Sequence, residues 1–253
     1  RLVVEPNNRE LRMLSSIEEK AEAVFALGID YVLVLPFTQE FSQLSPEAFV
    51  ADILVKQLNV HTIVIGYDHH FGINRSGDFN TLVRLSKQFN FAVQEIPAST
   101  IDEIAVSSTR IRKALSNRGL EEANQLIGRP YQLTGTVIHG KQLGRTIGFP
   151  TANIHLNDPY KLIPSFGVYA GICLVENKRF KMVCNIGVRP TVDGENISIE
   201  AHLFDFVKNI YGEHLTLFLV QYLRNEQKFD SIEALKSQIL LDAQQAQILV
   251  TLD

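Results

Sequence analysis

The sequence predicts two domains of different class, an α/β domain followed by a β domain. Helical and strand-like segments alternate over the first half of the chain, whereas strand-like segments follow one another after Gly128-Arg129-Pro130 and helical periodicity returns only near the end. The 253 residues also exceed the ~100–150 typical of one domain. We therefore expect one domain at 1–127 and a second at 128–253.

The α/β prediction begins with a helix and a strand. The first helix is predicted to begin at a capping box formed by Ser15, Ser16, Glu18 and Glu19. It is predicted to end at a glycine C-cap, Gly28. The β-branched and apolar run from Tyr31 to Leu35 then predicts a buried strand.

Two further helix-strand cycles follow. Ser45-Pro46 is typical of a helix start, and 62–65 predicts the second strand. Asp78 caps the next predicted helix, 91–96 predicts the third strand, and Ser107-Ser108 begins another helix. Such alternation is typical of a parallel sheet with crossover helices.

The second part predicts an antiparallel barrel or sandwich covered by one helix. Five segments have strand periodicity: 131–139, 167–175, 180–186, 197–206 and 215–223. Asp230 and Glu233 form a capping box for a terminal helix, and Leu235, Ile239 and Ala243 share one of its faces.

Composition excludes several classes of protein. The net charge of −4 gives no field that attracts nucleic acid or an acidic membrane. No apolar run approaches the ~20 residues of a membrane span, and no leader opens the sequence, so we expect a cytoplasmic protein. Cys173 and Cys184 lack metal-ligand spacing, which predicts buried thiols without a zinc site or disulfide.

The stretch from His139 to Asn153 is the strongest candidate for phosphate binding. It combines three glycines, two cations and a Pro-Thr-x-Asn ending, and glycine allows backbone N–H groups to approach phosphate closely. A plain loop between strands is the alternative. Gly135 to Lys141 also fits the start of a Walker A loop, but Gln142 replaces its Ser or Thr and the segment predicts a strand, so we reject that motif.

The strand around Glu200 has two distinct faces. Ile197, Ile199, Ala201 and Leu203 share one face, while Glu200 and His202 project from the other beside Phe204. The first face predicts core. The second is either solvated surface or the wall of a pocket, and periodicity does not choose between them.

These motifs together resemble the bacterial riboflavin kinase family. The resemblance covers nearly all of 130–243, and its motifs occur in order: the loop 140–153, Gly-Val-Tyr-Ala at 167–170, Asn-Ile-Gly-x-Arg-Pro-Thr at 185–191, the strand 200–206 and Arg-x-Glu-x-Lys-Phe at 224–229. It implies a six-stranded antiparallel barrel with a C-terminal helix, which transfers phosphate from Mg²⁺-ATP to riboflavin and produces FMN.

The resemblance also implies roles for single residues. Glu200 is the catalytic base, Thr151 is the Mg²⁺ ligand, and Asn153, Asn185 and Arg224 contact flavin. The residues implied in ATP and phosphate binding are Gly140, Lys141, Gly144, Arg145, Gly148, Thr151 and Asn153.

Two motifs of the first part resemble the FAD synthetase domain of bifunctional flavin enzymes, a Rossmann-like nucleotidyltransferase. One is the loop 66–78, which follows a strand, and the other is the helix start Ser-Ser-Thr-x-Ile-Arg at 107–112, a position that favours anions. A plain helix cap is the alternative for the second motif. The residues implied in nucleotide and flavin binding are Gly66, Asp68, Phe71, Gly72, Arg75, Ser107, Ser108, Thr109 and Arg112.

The family's H-x-G-H signature is not in this sequence, and we expect it to precede Arg1 in a longer chain. We therefore expect kinase activity without FAD synthesis from these residues alone, and small-molecule partners: ATP, riboflavin, FMN and FAD. Two other classes stay open, a non-catalytic flavin-binding protein on the same fold and an RNA-binding barrel. The acidic balance disfavours the second, and the sequence does not predict an oligomeric state.

Overall fold

A computed structural model describes residues 12–98, 100–101, 104–140, 142–191 and 194–252. The chain forms two compact units. The barrel unit contains Arg12–Asp30, with helix α1 (Ile17–Phe25), and the chain from Ser107 onward. The α/β unit contains Tyr31–Val106.

The α/β unit is built around a parallel pair of strands. Its first elements are α2 (Gln39–Ser42), α3 (Pro46–Ala48) and a π-helix (Phe49–Val55) that continues α3. Strand β1 (Thr62–Gly66), a 3-10 helix (Ile73–Arg75) and α4 (Phe79–Phe89) lead to β2 (Ala92–Ile96), which pairs in parallel with β1. The short strands β3 (Thr100–Ile101) and β4 (Ile104–Ala105) form an antiparallel pair.

Predicted helix caps in this unit are confirmed. The Ser45 hydroxyl accepts a hydrogen bond from the Ala48 N–H at 3.1 Å, with Pro46 in the first turn. The Asp78 carboxylate accepts from the Thr81 N–H at 2.8 Å. One core joins α4 to the sheet and to the π-helix, through the buried side chains Val50, Ile65, Leu82, Leu85 and Phe91.

The predicted strand from Tyr31 to Leu35 is wrong. This segment has no regular secondary structure, and Tyr31 is 89% exposed. A strand requires a neighbouring backbone to satisfy its N–H and C=O groups, but among the described residues β1 pairs only with β2. The apolar, β-branched composition of this segment favours a strand, but the segment has no strand to pair with among the described residues.

The barrel unit contains the predicted six-stranded closed barrel. Helices α5 (Ser108–Ser116) and α6 (Leu120–Ile127) precede β5 (Tyr131–Ile138), α7 (Leu143–Thr146) and β6 (Ala152–Leu156). Strands β7 (Gly167–Val175), β8 (Lys178–Thr191), β9 (Gly194–Leu203) and β10 (His214–Arg224) follow, and α8 (Ile232–Leu249) ends the fold. The strand order around the barrel is β10-β5-β6-β9-β8-β7, and all its pairs are antiparallel.

Two details of this unit differ from the sequence prediction. Ser231 rather than Asp230 caps α8, because its hydroxyl accepts from the Ala234 N–H. Periodicity missed β6, a five-residue strand inside the glycine-rich region. The buried-thiol prediction is confirmed, since Cys173 and Cys184 are both buried and free, and burial raises the pKa of Cys173 to about 12.

A buried ion pair connects α1 to the barrel. The Lys161 ammonium donates to the Glu19 carboxylate, and both side chains are at most 3% exposed. Glu19 also accepts from the Ser16 and Thr134 N–H groups at 3.1 Å each, and Lys161 donates to the Leu14 carbonyl at 2.8 Å. Burial lowers the pKa of Lys161, although the Glu19 charge opposes that shift.

We predict that Glu19→Gln lowers the free energy of unfolding of the barrel unit by about 3–5 kcal/mol, because it leaves a buried ammonium without its counter-charge. Urea denaturation measures the change. Glu122→Gln is the matched control: it removes the same charge from the exposed pair with Arg110, and should cost less than about 1 kcal/mol. Equal losses in both variants would contradict the role of the buried pair.

Candidate functional site

Four residues predicted from separate motifs lie on one row of the barrel. The register pairs Asn153 with Glu200, Glu200 with Asn185, Asn185 with Val168, and Val168 with Arg224. This site row therefore crosses β6, β9, β8, β7 and β10 in turn. Paired residues on neighbouring strands project from the same face of a sheet, so the Asn153, Glu200 and Asn185 side chains are direct neighbours.

The Thr151 hydroxyl reaches the centre of this row. Thr151 shares a face with Asn153 because side chains alternate along an extended chain. Its hydroxyl donates to Glu200 Oε2 at 3.3 Å. The hydroxyl, amide and carboxylate that the sequence singled out at 151, 153 and 200 are thus brought together.

The glycine-rich region packs closely against this group. A Cβ on Gly140 would overlap the Asn153 side-chain amide, and Gly140 does not have the left-handed backbone conformation that would by itself favour glycine. Asn153 is 8% exposed, so its amide has little room to move. Position 140 therefore favours glycine because a side chain would not fit there, and not because of its backbone conformation.

The rest of this region is more ordered than the predicted loop. It contains the one-turn helix α7, which includes Gly144 and Arg145, and Gly148 follows with a positive φ of 89°. The Phe149 N–H donates to the Gly144 carbonyl at 2.8 Å, which closes the turn. Lys141, a predicted phosphate ligand, lies outside the described residues.

A cavity of about 380 Å³ lies between the site row and α8. We call it the helix-side cavity. Glu200, His202 and Asn185 are among the polar residues of its barrel wall, and the predicted α8 face forms the opposite wall. Its apolar lining is Ile147, Phe149, Val168, Val183, Phe229, Leu235, Ile239 and Ala243. Glu200 and His202 therefore form part of a pocket wall rather than a solvated surface.

A second cavity of about 440 Å³, the loop-side cavity, lies on the other side of Thr151. Its cationic residues are Arg145 and Lys208. Apolar side chains line much of the remainder, among them Val137, Ala201, Leu203 and Ile210. The Tyr211 ring, also on this wall, stacks on His139 at 3.9 Å between centroids. Thr151 and Gln142 line both cavities.

Arg224 is held by a carboxylate that the sequence analysis did not identify. The Arg224 Nε and Nη2 atoms donate to Asp242 of α8 at 2.9 and 2.8 Å, and Asp242 is 2% exposed. The guanidinium also lies 5.9 Å from the Phe229 ring centroid. Asp242 is adjacent in sequence to Ala243, which lies on the apolar face of α8. A carboxylate beside such a face was the sequence feature that could have indicated a buried partner for a cation.

Glu226 is a second missed residue on the wall of the helix-side cavity. Its Oε1 accepts from the Asn185 side-chain amide at 3.2 Å. A Cβ on Gly187 would overlap this carboxylate. Glu226 belongs to the Arg-x-Glu-x-Lys-Phe motif, so the motif contained it without indicating its partner.

In the α/β unit, the loop 66–78 leaves the carboxyl end of β1 and folds back on itself. Phe71 and Gly77 exchange backbone hydrogen bonds at 3.0 and 2.9 Å, with Gly72 and Arg75 between them in left-handed conformations. A Cβ on Gly72 would collide with the Pro46 ring. A constrained loop thus follows Gly66 and Asp68 at the edge of the sheet where ligands of α/β folds bind.

The predicted anion site at Ser107 lies in the barrel unit, at the start of α5. The Ser107 hydroxyl accepts from the Arg110 N–H at 3.3 Å, while Ser108 and Thr109 occupy the exposed first turn. Arg112 Nε donates to the Arg12 carbonyl at 2.8 Å. Ser107 therefore forms an ordinary helix N-cap, and Ser108 and Thr109 are exposed beside it.

Comparison with known proteins agrees with both groups of motifs. The family described as Flavokinase: Riboflavin kinase matches residues 127–250, and the family described as FAD synthetase matches residues 1–110. The bifunctional riboflavin kinase/FMN adenylyltransferase of Listeria monocytogenes is 41% identical over 237 residues, which is 93% of this chain and 74% of that protein. The protein of the same description from Escherichia coli K12 is 39% identical, over 90% of this chain and 73% of its own length.

The chain belongs to the bifunctional riboflavin kinase/FMN adenylyltransferase family. A crystal structure from Streptococcus pneumoniae, described as a macrolide-efflux protein, superposes with a TM-score of 0.81 at 31% identity and covers 92% of this chain and 75% of that one. No helix in the described part of the chain is long and apolar enough to cross a membrane. The family assignment rests on the curated relatives and on the two family matches.

We predict that Gly140→Ala lowers the free energy of unfolding by about 1–3 kcal/mol, the usual cost of overpacking a filled site. The added methyl must displace the Asn153 amide. In an Asn153→Ala background the same change should cost much less, because the overlapping atoms are gone. A double-mutant cycle measured in urea reports this coupling; independent, additive effects would show that Gly140 is not constrained by Asn153.

Proposed function

We propose that the barrel unit transfers the γ-phosphoryl group of ATP to riboflavin, with flavin in the helix-side cavity and nucleotide in the loop-side cavity. The single observation that carries this proposal is the position of Thr151, which lines both cavities and contacts Glu200. Phosphoryl transfer depends mainly on holding two substrates in line and on stabilising charge. Two cavities that meet at one hydroxyl suit this requirement.

The chemistry of each cavity supports its assignment. The isoalloxazine ring of riboflavin is flat and largely apolar, and eight aliphatic and aromatic side chains line the helix-side cavity. The polar side chains of Asn185 and Glu200 lie on its barrel wall, where a ribityl chain would extend toward Thr151. Among the described residues, Arg145 and Lys208 line the loop-side cavity and are the proposed cations for the phosphates, and Lys208 also pairs with the exposed Glu176.

Arg224 contributes to the flavin site in a particular way. Its Nε, Nη1 and Nη2 atoms are all engaged, by Asp242 and by the Asn225 carbonyl. It therefore offers the flavin a fixed cationic plane. Asp242 sets the position of that plane and holds α8 against the barrel.

The donor set near Thr151 fits Mg²⁺. This ion prefers oxygen ligands, keeps several waters and is commonly held by few protein groups together with substrate phosphates. The Thr151 hydroxyl is the proposed protein ligand, with the Glu200 and Asn153 side chains beside it. No group of three or more His, Cys, Asp or Glu side chains that could hold a metal occurs among the described residues. When bound, the ion neutralises charge on the terminal phosphates.

Glu200 is the proposed general base. Its carboxylate accepts the proton of the ribityl 5′-hydroxyl as that oxygen forms a bond to the γ-phosphorus and the bond from this phosphorus to the β–γ bridging oxygen breaks. FMN and ADP result. The neighbouring Asn153 and Asn185 amides orient the ribityl hydroxyls, and Glu226 fixes the Asn185 amide.

We extend the proposal to adenylylation of FMN by the 1–127 domain, with the kinase in 128–253. Curated relatives of this family are described by both activities. The loop 66–78 and the start of α5 at Ser107 each supply groups suited to nucleotide phosphates, namely constrained backbone N–H groups and exposed hydroxyls at a helix N-terminus. In this proposal Arg75 supplies positive charge to the loop 66–78 of the α/β unit, and Arg112 supplies it to the start of α5 in the barrel unit.

Incubation of the purified protein with riboflavin and Mg²⁺-ATP, followed by chromatography of the flavins, tests the kinase assignment. We expect time-dependent formation of FMN with one ADP per FMN. Riboflavin binding without any FMN would instead support a non-catalytic flavin-binding protein. A parallel incubation with FMN and ATP tests for FAD.

We predict that Glu200→Gln lowers kcat by about 10²–10⁴, the usual effect of losing a general base. ATP binding should change little, because the loop-side cavity does not include this side chain. Glu22→Gln on the exposed surface of α1 is the matched control, since it makes the same chemical change away from both cavities. Wild-type turnover in Glu200→Gln would exclude the base assignment.

A further inference from the structure

We propose that His202 is a positioning residue for the kinase reaction, which holds the Pro150 carbonyl so that the Thr151 hydroxyl is presented to Glu200. The inference rests on the proposed function of the barrel unit. It assigns a task to a side chain that neither the motif roles nor the mechanism uses. His202 acts through the loop and not on the transferred group.

The need for such a contact arises from the pairing of β6 with β9. In the part of the chain that the structure describes, two residue pairs join these strands, Ala152 with Ala201 and Asn153 with Glu200. The next residues toward the N-terminus are Thr151 and Pro150. Because proline has no N–H, the backbone ladder cannot continue normally through Pro150, although Thr151 must be held accurately.

The His202 side chain provides the missing connection. Its Nδ1 lies 2.8 Å from the Pro150 carbonyl oxygen. A carbonyl oxygen only accepts hydrogen bonds, so Nδ1 carries the proton in this contact. Imidazole therefore replaces a backbone donor at the point where the ladder stops.

Two aromatic contacts fix the imidazole ring. Phe149 lies edge-on to it at 5.4 Å between centroids, and Phe204 lies edge-on to it at 5.6 Å. Phe204 belongs to the core cluster beneath α8, with Ala170, Ala246 and Val250. The ring orientation is thus set by packed neighbours, which a flexible surface histidine would lack.

Thr151 is then held on both sides. Ala152 is fixed by the ladder and Pro150 by His202, and the Thr151 hydroxyl between them lies 3.3 Å from Glu200 Oε2. Loss of the His202 contact would leave Pro150, on the N-terminal side of Thr151, without its hydrogen bond. The expected consequence is a displaced hydroxyl and weaker use of Mg²⁺-ATP, because misplacement of reacting groups by about 1 Å can cost up to about 10²-fold in rate.

Substitution of His202 by asparagine and by leucine tests this inference. The Asn side-chain nitrogen is at the δ position, as Nδ1 is, and it can donate to Pro150. Leucine has similar bulk and no donor. Thr151→Val serves as the reference for loss of the hydroxyl at nearly constant shape. Riboflavin kinase activity is measured in each variant as a function of Mg²⁺ concentration at saturating riboflavin, with thermal unfolding as a check on folding.

We expect His202→Leu to raise the Mg²⁺ concentration for half-maximal activity by about tenfold and to lower kcat by about 10- to 100-fold. Its Mg²⁺ dependence should shift in the same direction as that of Thr151→Val. His202→Asn should recover most of the lost activity and an Mg²⁺ dependence close to that of the wild type.

Three outcomes would overturn the inference. Wild-type activity and Mg²⁺ dependence in folded His202→Leu would show that Pro150 needs no side-chain donor. Equal losses in the folded Asn and Leu variants would show that the imidazole itself, not its δ donor, is required. A fall in kcat without any shift in Mg²⁺ dependence would separate His202 from Thr151. If the wild-type protein forms no FMN at all, the proposed function fails instead, and the two failures are distinguishable.

Discussion

Closure of the barrel is the constraint on which the candidate site depends. The site row draws its members from five strands, and Val168, Asn185, Glu200 and Arg224 line the helix-side cavity only because the register of every neighbouring pair is fixed. Side chains alternate between faces, so a slip of one residue would turn Glu200 into the core and place Ala201 in the cavity. The fully buried Ala201 and Cys184, which are paired across β8 and β9, lock this register from the inside.

The region 140–153 separates the two cavities. It leaves β5, forms the single turn of α7 and returns as β6, so that Thr151 reaches β9 at the boundary of both cavities. Gly140 allows the return path to lie against Asn153, and His202 holds the last residue before Thr151. Residues far apart in sequence are thus held near one carboxylate by short contacts.

Sequence motifs predicted much of this site but not its supporting contacts. Thr151, Asn153, Asn185 and Glu200 each lie in a motif, and period two correctly placed Glu200 and His202 on one face. Asp242 and Glu226 escaped because their significance lies in a partner, Arg224 or Asn185, which only the tertiary fold supplies. Side-chain type and spacing do not encode such pairs.

The limits of fold prediction have a similar origin. Strands with long apolar runs, such as β7 and β10, were predicted nearly to the residue. Strand β6 was missed because Pro150 and the preceding glycines are typical of loops, and the strand forms only through its pairing with β5 and β9. The apolar run at Tyr31 shows the converse, since strand propensity without a partner leaves an exposed segment.

Among the described residues, Glu200 is the carboxylate that contacts the Thr151 hydroxyl, and this has a consequence for the proposed roles of the two side chains. Many metal-dependent phosphoryl-transfer sites hold their ion with a carboxylate, which is then occupied by charge neutralisation. Around Thr151 the neighbouring polar groups include a hydroxyl, an amide and one carboxylate, that of Glu200. If the ion arrives with the nucleotide and needs only the hydroxyl from the protein, Glu200 keeps its capacity to accept a proton. Accurate placement of that hydroxyl then matters more than its modest strength as a ligand. The contacts of His202 with Pro150 and of the hydroxyl with Glu200 serve this placement.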